Sequence, residues 1–230
     1  AAKKEGIRPI IGCEVYVAKR TRFDRVQELD RENRHLVLLC ENNTGYRNLT
    51  ALVSKAWIEG FYNRPRVDFE LLRQHHEGLI ALSACISGEI PRALLRGQYA
   101  AAKEAALRYQ EIFGPENFFL ELQDHGLKDE HYVNPGILKL AEETGIPLVV
   151  TNDCHYISAA DQEMHKVLMC IQTGRTVQDE GGLDFSTEEL YFKTEEEMRG
   201  LFPDRPEAAD NTVRIAERCQ VEFEFGKYHL

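Results

Sequence analysis

The sequence has 230 residues, 43% of them hydrophobic, and its 28 Lys and Arg against 38 Asp and Glu give a net charge of −10. This composition is typical of a globular protein with one large domain or two small ones, and the acidic balance argues against duplex binding by this surface alone. No run approaches the roughly 20 apolar residues of a transmembrane helix and no signal segment opens the chain, so we expect a cytoplasmic protein without membrane contact.

The first residues, "AAKKEGIRPII", are typical of a helix that ends at Gly6 before a strand begins. No Met precedes them. We therefore expect a fragment whose N-terminal part has been removed.

Strand and helix patterns then alternate along the chain. Apolar strands are predicted over residues 8–18, 35–40, 78–84, 118–123 and 147–151. Between them, residues 41–61 predict a helix with one buried face, a second helix closes at Gly114, and a third starts near Asn134 and ends at Gly145. A fourth helix follows Ser158 and ends at Gly174.

Two of these helices carry clear apolar stripes. The stripes are Tyr46, Leu49, Leu52, Val53, Ala56 and Trp57 in the first helix, and Met164, Val167, Leu168 and Ile171 in the fourth. Continuously apolar strands that alternate with helices predict a parallel sheet buried on both faces. The number of units favours a (β/α) barrel over an open doubly wound sheet, and no glycine-rich phosphate loop supports the latter.

The pattern changes after residue 174. We expect a loop at 175–185, a short strand at 190–193, a helix capped by Thr194 and Glu197, a further helix within 205–219, and a strand within 221–230. The chain is therefore divided into a partial barrel, residues 1–174, and a short α+β extension, residues 175–230, that leads toward another domain.

The cysteines and the basic cluster favour plain structural roles. The six cysteines are scattered without a C-x-x-C pair, which indicates reduced thiols. The one basic cluster, Lys19, Arg20, Arg22 and Arg25, is interrupted by Asp24, so we expect a solvated loop and not a nucleic-acid site.

Polar side chains collect where the predicted strands end. Glu14 follows the apolar run "PIIGC" in the first strand, Cys85 and the run Gln123, Asp124 and His125 follow two further strands, and Asp153 and His155 follow a fourth. In an extended chain residues two apart point the same way, so Asp153 and His155 can face one small volume. Carboxylate, imidazole and thiolate groups bind Zn²⁺, Mn²⁺ or Fe²⁺, and these ions suit hydrolysis. Neither a G-x-S-x-G nor a G-x-x-x-x-G-K-[ST] motif offers another chemistry.

Each candidate also has a structural interpretation. Asp153 fits a helix cap or an Asx-turn. Glu14 fits a solvated strand residue if Val15 and Val17 form the buried set, and Cys85 fits a packed thiol. His125 fits a turn residue that only forms a hydrogen bond.

Six segments, taken together, resemble the PHP domain of bacterial replicative DNA polymerases, the DNA polymerase III α-subunit family. They are "GIRPIIGCEVYVA", "HLVLLCENNTGYRNLTALVSKA", "EGLIALSACISGEIPRALL", "FFLELQDHGL", "PLVVTNDCHY" and "ELYFKTEEEMRGLF". The resemblance extends over essentially the whole chain. It implies an α/β fold, a distorted (β/α)7 barrel, which is incomplete here because the first β/α units are missing.

The resemblance also implies a metal cluster of up to three divalent ions, Zn, Mn or Fe. Its ligands fall on Glu14, His35, Cys85, Asp153 and His155, with His125 and Asn152 supporting them from behind. His35 comes from the resemblance alone, because it lies at the start of a predicted strand, the wrong end for a barrel site. The family's opening ligands precede residue 1, so fewer ions are expected here, and the exposed sheet edges predict self-association.

The implied function is that of a parent DNA-directed DNA polymerase, whose palm this chain lacks. Its PHP site would be a metal-dependent phosphoesterase, with 3′-to-5′ removal of mispaired nucleotides as the implied reaction. The alternative is a non-catalytic platform that stabilises the polymerase and docks a separate proofreading exonuclease, and an independent metallo-hydrolase is a third. The implied partners are DNA, a sliding clamp and a proofreading exonuclease.

Overall fold

The computed structural model describes residues 2–177, 187–224 and 226. Most of the loop predicted at 175–185 and part of the strand predicted within 221–230 lie outside the described residues. The strands are β1 (Gly12–Ala18), β2 (Asn33–Cys40), β3 (Arg66–Val67), β4 (Leu79–Leu82), β5 (Phe118–Leu122) and β6 (Leu148–Val150). The α-helices are α1 (Gln27–Asp30), α2 (Asn43–Ile58), α3 (Phe69–Gln74), α4 (Glu89–Leu95), α5 (Tyr99–Phe113), α6 (Lys128–Thr144), α7 (Gln162–Thr173), α8 (Glu195–Leu201) and α9 (Pro206–Arg218).

The strands form one mixed sheet in the order β3-β1-β2-β4-β5-β6. Strand β2 runs antiparallel to both β1 and β4, whereas the other pairs are parallel. The prediction of a wholly parallel sheet was therefore wrong at β2. Residues 19–32, which join β1 to β2, contain only the single-turn helix α1, and an antiparallel return needs no packed crossover helix.

The two faces of this sheet are different. One face carries the main hydrophobic core, in which alternate strand residues such as Val15, Leu36 and Leu120 pack against α2, α3, α4, α5 and α6. The other face carries a smaller cluster in which Ile80 and Phe119 meet α9. Because successive strand residues point to opposite faces, Glu14, His35 and Glu121 share this second face with the smaller cluster.

Several helix predictions need correction. The segment after β4 forms two helices, α4 and α5, rather than one, although α5 ends before Gly114 as predicted. Helix α6 begins at Lys128, six residues before the predicted start, and contains Pro135. The Glu130 carboxylate accepts hydrogen bonds from backbone N–H groups ahead of the helix, so the true start is capped by a side chain three residues into it.

Two apolar stripes are less buried than their pattern indicates. In α2, Leu49, Leu52 and Ala56 are buried, but Trp57 is exposed and stacks on Phe61. The predicted α7 stripe lies in solvent. Its members are Met164, Val167, Leu168 and Ile171, with exposed fractions of 39–71%.

The predicted solvated loop at residues 19–25 was wrong for one arginine. The Arg22 side chain is only 9% exposed, and its guanidinium bonds Glu59 at 2.7 Å and Asp68 at 3.1 Å. Asp68 also accepts the Leu71 N–H and so caps α3. The loop is consequently anchored in the fold by a buried ion pair.

The C-terminal helices pack on the same sheet. Thr194 and Glu197 form the predicted capping box of α8, and the Asn211 side chain of α9 donates to the Leu148 carbonyl at 2.7 Å. The predicted strand at 190–193 is reduced to one bridge between Tyr156 and Tyr191. Among the described residues no helix is long and apolar enough to span a membrane. The division at residue 174 stays a prediction.

Candidate metal centre

Three of the five predicted ligands converge on the second face of the sheet. One donor atom each from Glu14, His35 and Cys85 lies within 4.8 Å of the other two. His35 Nδ1 is 3.1 Å from Glu14 Oε1 and 3.9 Å from Cys85 Sγ. Among the described residues this is the one such group of three or more His, Cys, Asp and Glu side chains.

The direction of β2 explains why His35 reaches the site. Because β2 is antiparallel to its neighbours, its beginning lies beside the carboxyl ends of β1 and β4. Tyr16 is paired with His35, and Val37 is paired with both Glu14 and Leu82. His35 would lie at the wrong end of a parallel strand, but in the antiparallel β2 its position is at the edge of the sheet that carries the site.

The position of Glu14 fits both the metal-ligand and the solvated-strand interpretation. Val15 and Val17 are buried in the main core, as the structural interpretation expects, so Glu14 points to the opposite face. Its side chain is 44% exposed, yet it contacts the imidazole of His35. A solvated strand position is thus also a position in the site.

Cys85 is brought to His35 by a tight loop, residues 83–88. Ser87 O accepts the His35 N–H at 3.1 Å, and Gly88 N–H donates to Cys85 O at 2.8 Å. Ala84 has a left-handed backbone with φ of 64°, which residues other than glycine rarely adopt. The loop is therefore fixed to β2 on one side while its backbone turns sharply just before Cys85.

The contacts within the group alter the protonation of His35. Hydrogen bonds that the His35 ring donates to Cys85 and Glu14 raise the pKa of His35 to about 9, against the opposing effect of partial burial. A carboxylate and a thiol that share one ring nitrogen stabilise positive charge there. A metal ion bound between the three donor atoms would take the place of this proton on His35.

Asp153 and His155 lie outside this group of three. His155 Nε2 is 3.4 Å from Asp153 Oδ1, so the two side chains do face one another as their spacing predicts. The ring of His155 also packs edge-on against His165 of α7. The structure thus places the predicted ligands in two sets, one on β1, β2 and the loop after β4, the other after β6.

His125 and Asn152 support the second set. His125 is 1% exposed, its Nδ1 lies 2.6 Å from Glu130 Oε1, and its Nε2 lies 2.9 Å from Asn152 Oδ1. The backbone N–H of Asp153 also points to His125 Nε2 at 3.2 Å. His125 thus bonds Glu130, Asn152 and the Asp153 backbone, and the supporting role of His125 and Asn152 stays a prediction.

One buried carboxylate was missed from the sequence. Glu121 lies inside β5, is 4% exposed, and accepts hydrogen bonds from the Ala84 N–H and, at 2.7 Å, from the Thr151 hydroxyl. Burial raises the pKa of Glu121 to about 7, and the negative charges of Glu14 and Asp153 add to the rise. A carboxylate in the otherwise apolar run "FFLEL" was the available signal.

Comparison of the sequence with known proteins identifies the family of this chain. A family model described as "PHP domain" matches residues 1–125, which include Glu14, His35 and Cys85 but not the second set. DNA polymerase III subunit alpha of Treponema pallidum (strain Nichols) is 52% identical over 95% of this chain and 19% of that protein. The same subunit of Thermus aquaticus is 43% identical over 96% of this chain and 18% of that protein.

A third relative is DNA polymerase III subunit alpha of Helicobacter pylori (strain J99 / ATCC 700824), 41% identical over 96% of this chain and 19% of that protein. The chain thus spans about a fifth of the length of the curated relatives that it matches. The resemblance noted from the sequence is confirmed, and the PHP model covers more than half of the chain. The chain belongs to the PHP domain family.

Proposed function

We propose that this chain is the PHP-domain segment of a DNA polymerase III α subunit, and that it forms a metal-dependent phosphoesterase site. The observation that carries the proposal is the convergence of Glu14, His35 and Cys85 within 4.8 Å, in a chain whose relatives carry that subunit's name. Its six strands would belong to a distorted (β/α)7 barrel. The parent protein would catalyse DNA-templated DNA synthesis outside this segment.

The donor atoms fit a divalent ion such as Zn²⁺, Mn²⁺ or Fe²⁺. A carboxylate oxygen, an imidazole nitrogen and a thiolate are ligands of zinc and of related ions. Ligands bound at about 2.0–2.3 Å lie roughly 3–4 Å from one another, which is the range of the Glu14–His35 and His35–Cys85 separations. When bound, such an ion supplies Lewis acidity toward water and phosphate oxygens.

The protein's own residues would position this chemistry. Glu14, His35 and Cys85 hold the ion, and Asp153 and His155 face the same edge of the sheet from the end of β6. His125, through Asn152 and the Asp153 backbone, fixes the orientation of that second pair. The substrate that fits is a phosphodiester, with 3′-to-5′ removal of mispaired nucleotides as the proposed reaction. DNA, a sliding clamp and a proofreading exonuclease are the proposed partners of the parent protein.

Elemental analysis of the purified chain tests the metal site. We expect at least one equivalent of Zn, Mn or Fe in the wild-type chain, a strong loss in Cys85→Ser and in Glu14→Gln, and no loss in the matched control Cys170→Ser. Wild-type protein without metal, or equal retention by both cysteine variants, would contradict the site.

A second candidate function is the non-catalytic platform that docks a separate proofreading exonuclease. The exposed apolar stripe of α7 favours it, since contiguous exposed apolar surface commonly marks an interaction site. Asp153→Asn separates the two functions. Loss of hydrolysis of a 3′-mispaired primer with an unchanged unfolding midpoint supports the phosphoesterase, whereas a lower midpoint with no hydrolysis in either protein supports the platform.

A further inference from the structure

Glu121 lies where it can control the geometry of the site without belonging to the group of three. It is on the second face of the sheet, in β5, between β4, which leads to Cys85, and β6, which leads to Asp153. Its side chain is buried, and a buried carboxylate is retained only where hydrogen bonds compensate its desolvation.

Three hydrogen bonds join Glu121 to the beginning of the 83–88 loop and to the end of β6. Glu121 Oε2 accepts the Ala84 N–H, and the Glu121 N–H donates to Ser83 Oγ at 2.8 Å. Oε1 accepts the Thr151 hydroxyl at 2.7 Å, and this hydroxyl in turn accepts Gln123 Nε2 at 3.0 Å. Thr151 thereby orients the carboxylate through Oε1, while Oε2 accepts the hydrogen bond from the loop.

The bond to Ala84 explains a strained backbone. Residues other than glycine rarely adopt the left-handed conformation of Ala84, so it persists only where the surroundings hold it. The N–H that Glu121 accepts belongs to this residue, and the next residue in the chain is Cys85. Loss of the bond frees the turn to relax and carries the Cys85 thiol away from His35.

We propose that Glu121 is a positioning residue that holds the left-handed turn at Ala84 and thereby sets Cys85 against His35. The proposal rests on the metal site proposed above, and it names the residue on which the placement of the Cys85 donor depends. Glu121 acts through the Ala84 backbone and does not itself bind the ion.

The first test is a double-mutant cycle of cobalt affinity. Co²⁺ is titrated into the full 230-residue chain and into Glu121→Gln, Cys85→Ser and the double variant, with thiolate-to-cobalt absorption as the signature of Cys85 ligation. The glutamine keeps the size of the side chain but cannot accept both hydrogen bonds. We expect roughly 10- to 100-fold weaker binding and a reduced absorption in Glu121→Gln, and almost no further loss when Cys85 is already serine. An equal loss in both backgrounds would show direct ligation or general damage and overturn the proposal.

The second test needs no metal. Alkylation of Cys85 by iodoacetamide, resolved by mass spectrometry, should be roughly tenfold faster in Glu121→Gln, because the hydrogen bond that holds the loop closed at Ala84 is lost. Cys170 of α7 in the same protein is the internal control and should not change. An unchanged Cys85 rate would refute the positioning role.

A milder pair of variants guards against misfolding. Thr151→Val removes the hydroxyl that orients Glu121 and should accelerate Cys85 alkylation, whereas Thr151→Ser keeps a hydroxyl and should restore the wild-type rate. Equal rates in the two variants would also count against the proposal. If the wild-type chain binds no Co²⁺ but the alkylation differences persist, the metal site fails and the positioning role stands.

Discussion

Replacement of Gly88 by alanine tests whether the tight 83–88 loop fixes Cys85. An ideal Cβ on residue 88 would lie 2.2 Å from the Ser83 carbonyl oxygen and 3.1 Å from that of Cys85. Both neighbours are backbone atoms, so no rotamer change can relieve the contact. The loop has to open by about 1 Å before the Ser83 oxygen reaches the 3.4 Å of ordinary contact.

The expected cost is about 2 kcal/mol in the free energy of unfolding, the middle of the range of roughly 1–3 kcal/mol for a methyl group forced into a packed site. The displacement also acts on the candidate metal centre. Cys85 Sγ is 3.9 Å from His35 Nδ1, and a shift of about 1 Å in its loop takes the thiol out of the range that one ion can span. We expect roughly tenfold weaker metal binding, or more.

Urea unfolding and a Zn²⁺ competition titration measure these two effects. Gly200→Ala is the matched control, because nothing lies within 4 Å of its added Cβ and Gly200 is in helix α8. This control should be neutral or more stable by up to about 1 kcal/mol, with unchanged metal affinity. A Gly88→Ala protein with the wild-type unfolding midpoint and wild-type affinity would refute the reasoning.

Three further predictions concern the supporting fold. Asp68→Asn should lower the free energy of unfolding by about 3 kcal/mol, because it removes a charge partner from the buried guanidinium of Arg22. Glu70→Gln should cost less than about 1 kcal/mol, because the Glu70 side chain is 65% exposed. Urea unfolding compares the two variants. The hydrogen bond from Arg20 lowers the pKa of Asp30 from 3.8 to about 2, so its stabilisation is complete above pH 4 and declines as the pH falls toward 2. Asp30→Asn should flatten the dependence of the thermal midpoint on pH in that window, and an unchanged slope would count against the pair. Thr194→Ala should cost about 1 kcal/mol through the lost cap of α8, and Thr194→Ser should restore most of it in the same unfolding assay.

Five of the six strands among the described residues and the C-terminal ends of α5, α6 and α7 were predictable from local signals, whereas β3 and α3 were not predicted. Continuously apolar runs mark β4, β5 and β6, which are buried throughout, and β2, in which Leu36, Leu38 and Cys40 are buried. Gly114, Gly145 and Gly174 end helices as predicted. The direction of β2 was not predictable. An apolar run gives the same pattern in either direction, and only the short connection at 19–32 distinguishes a return strand from a crossover.

The site was predictable to the extent that it follows strand ends. Cys85 was found by that rule. Glu14 was found because it follows the apolar run "PIIGC", but it lies near the start of β1. His35 is likewise near a strand start and entered only through the family resemblance. Glu121 was missed because its run was interpreted as a uniformly apolar strand. The positions of His35 and Glu121 in the site depend on which strands pair with β2 and β5, and a single sequence does not show this pairing.

The two ligand sets differ in how firmly the backbone holds them. Glu14 and His35 lie on paired strands, and Cys85 follows a loop that is bonded to β2 and β5. Asp153 and His155 lie in an irregular stretch after β6. The Asp153 N–H points to His125, and the His155 N–H donates to the Leu190 carbonyl. Metal affinity should therefore depend chiefly on the first set, since preorganised ligands lose the least freedom on binding. The second set has slightly more exposed side chains, so under the proposed function it is the set that would meet the phosphodiester first.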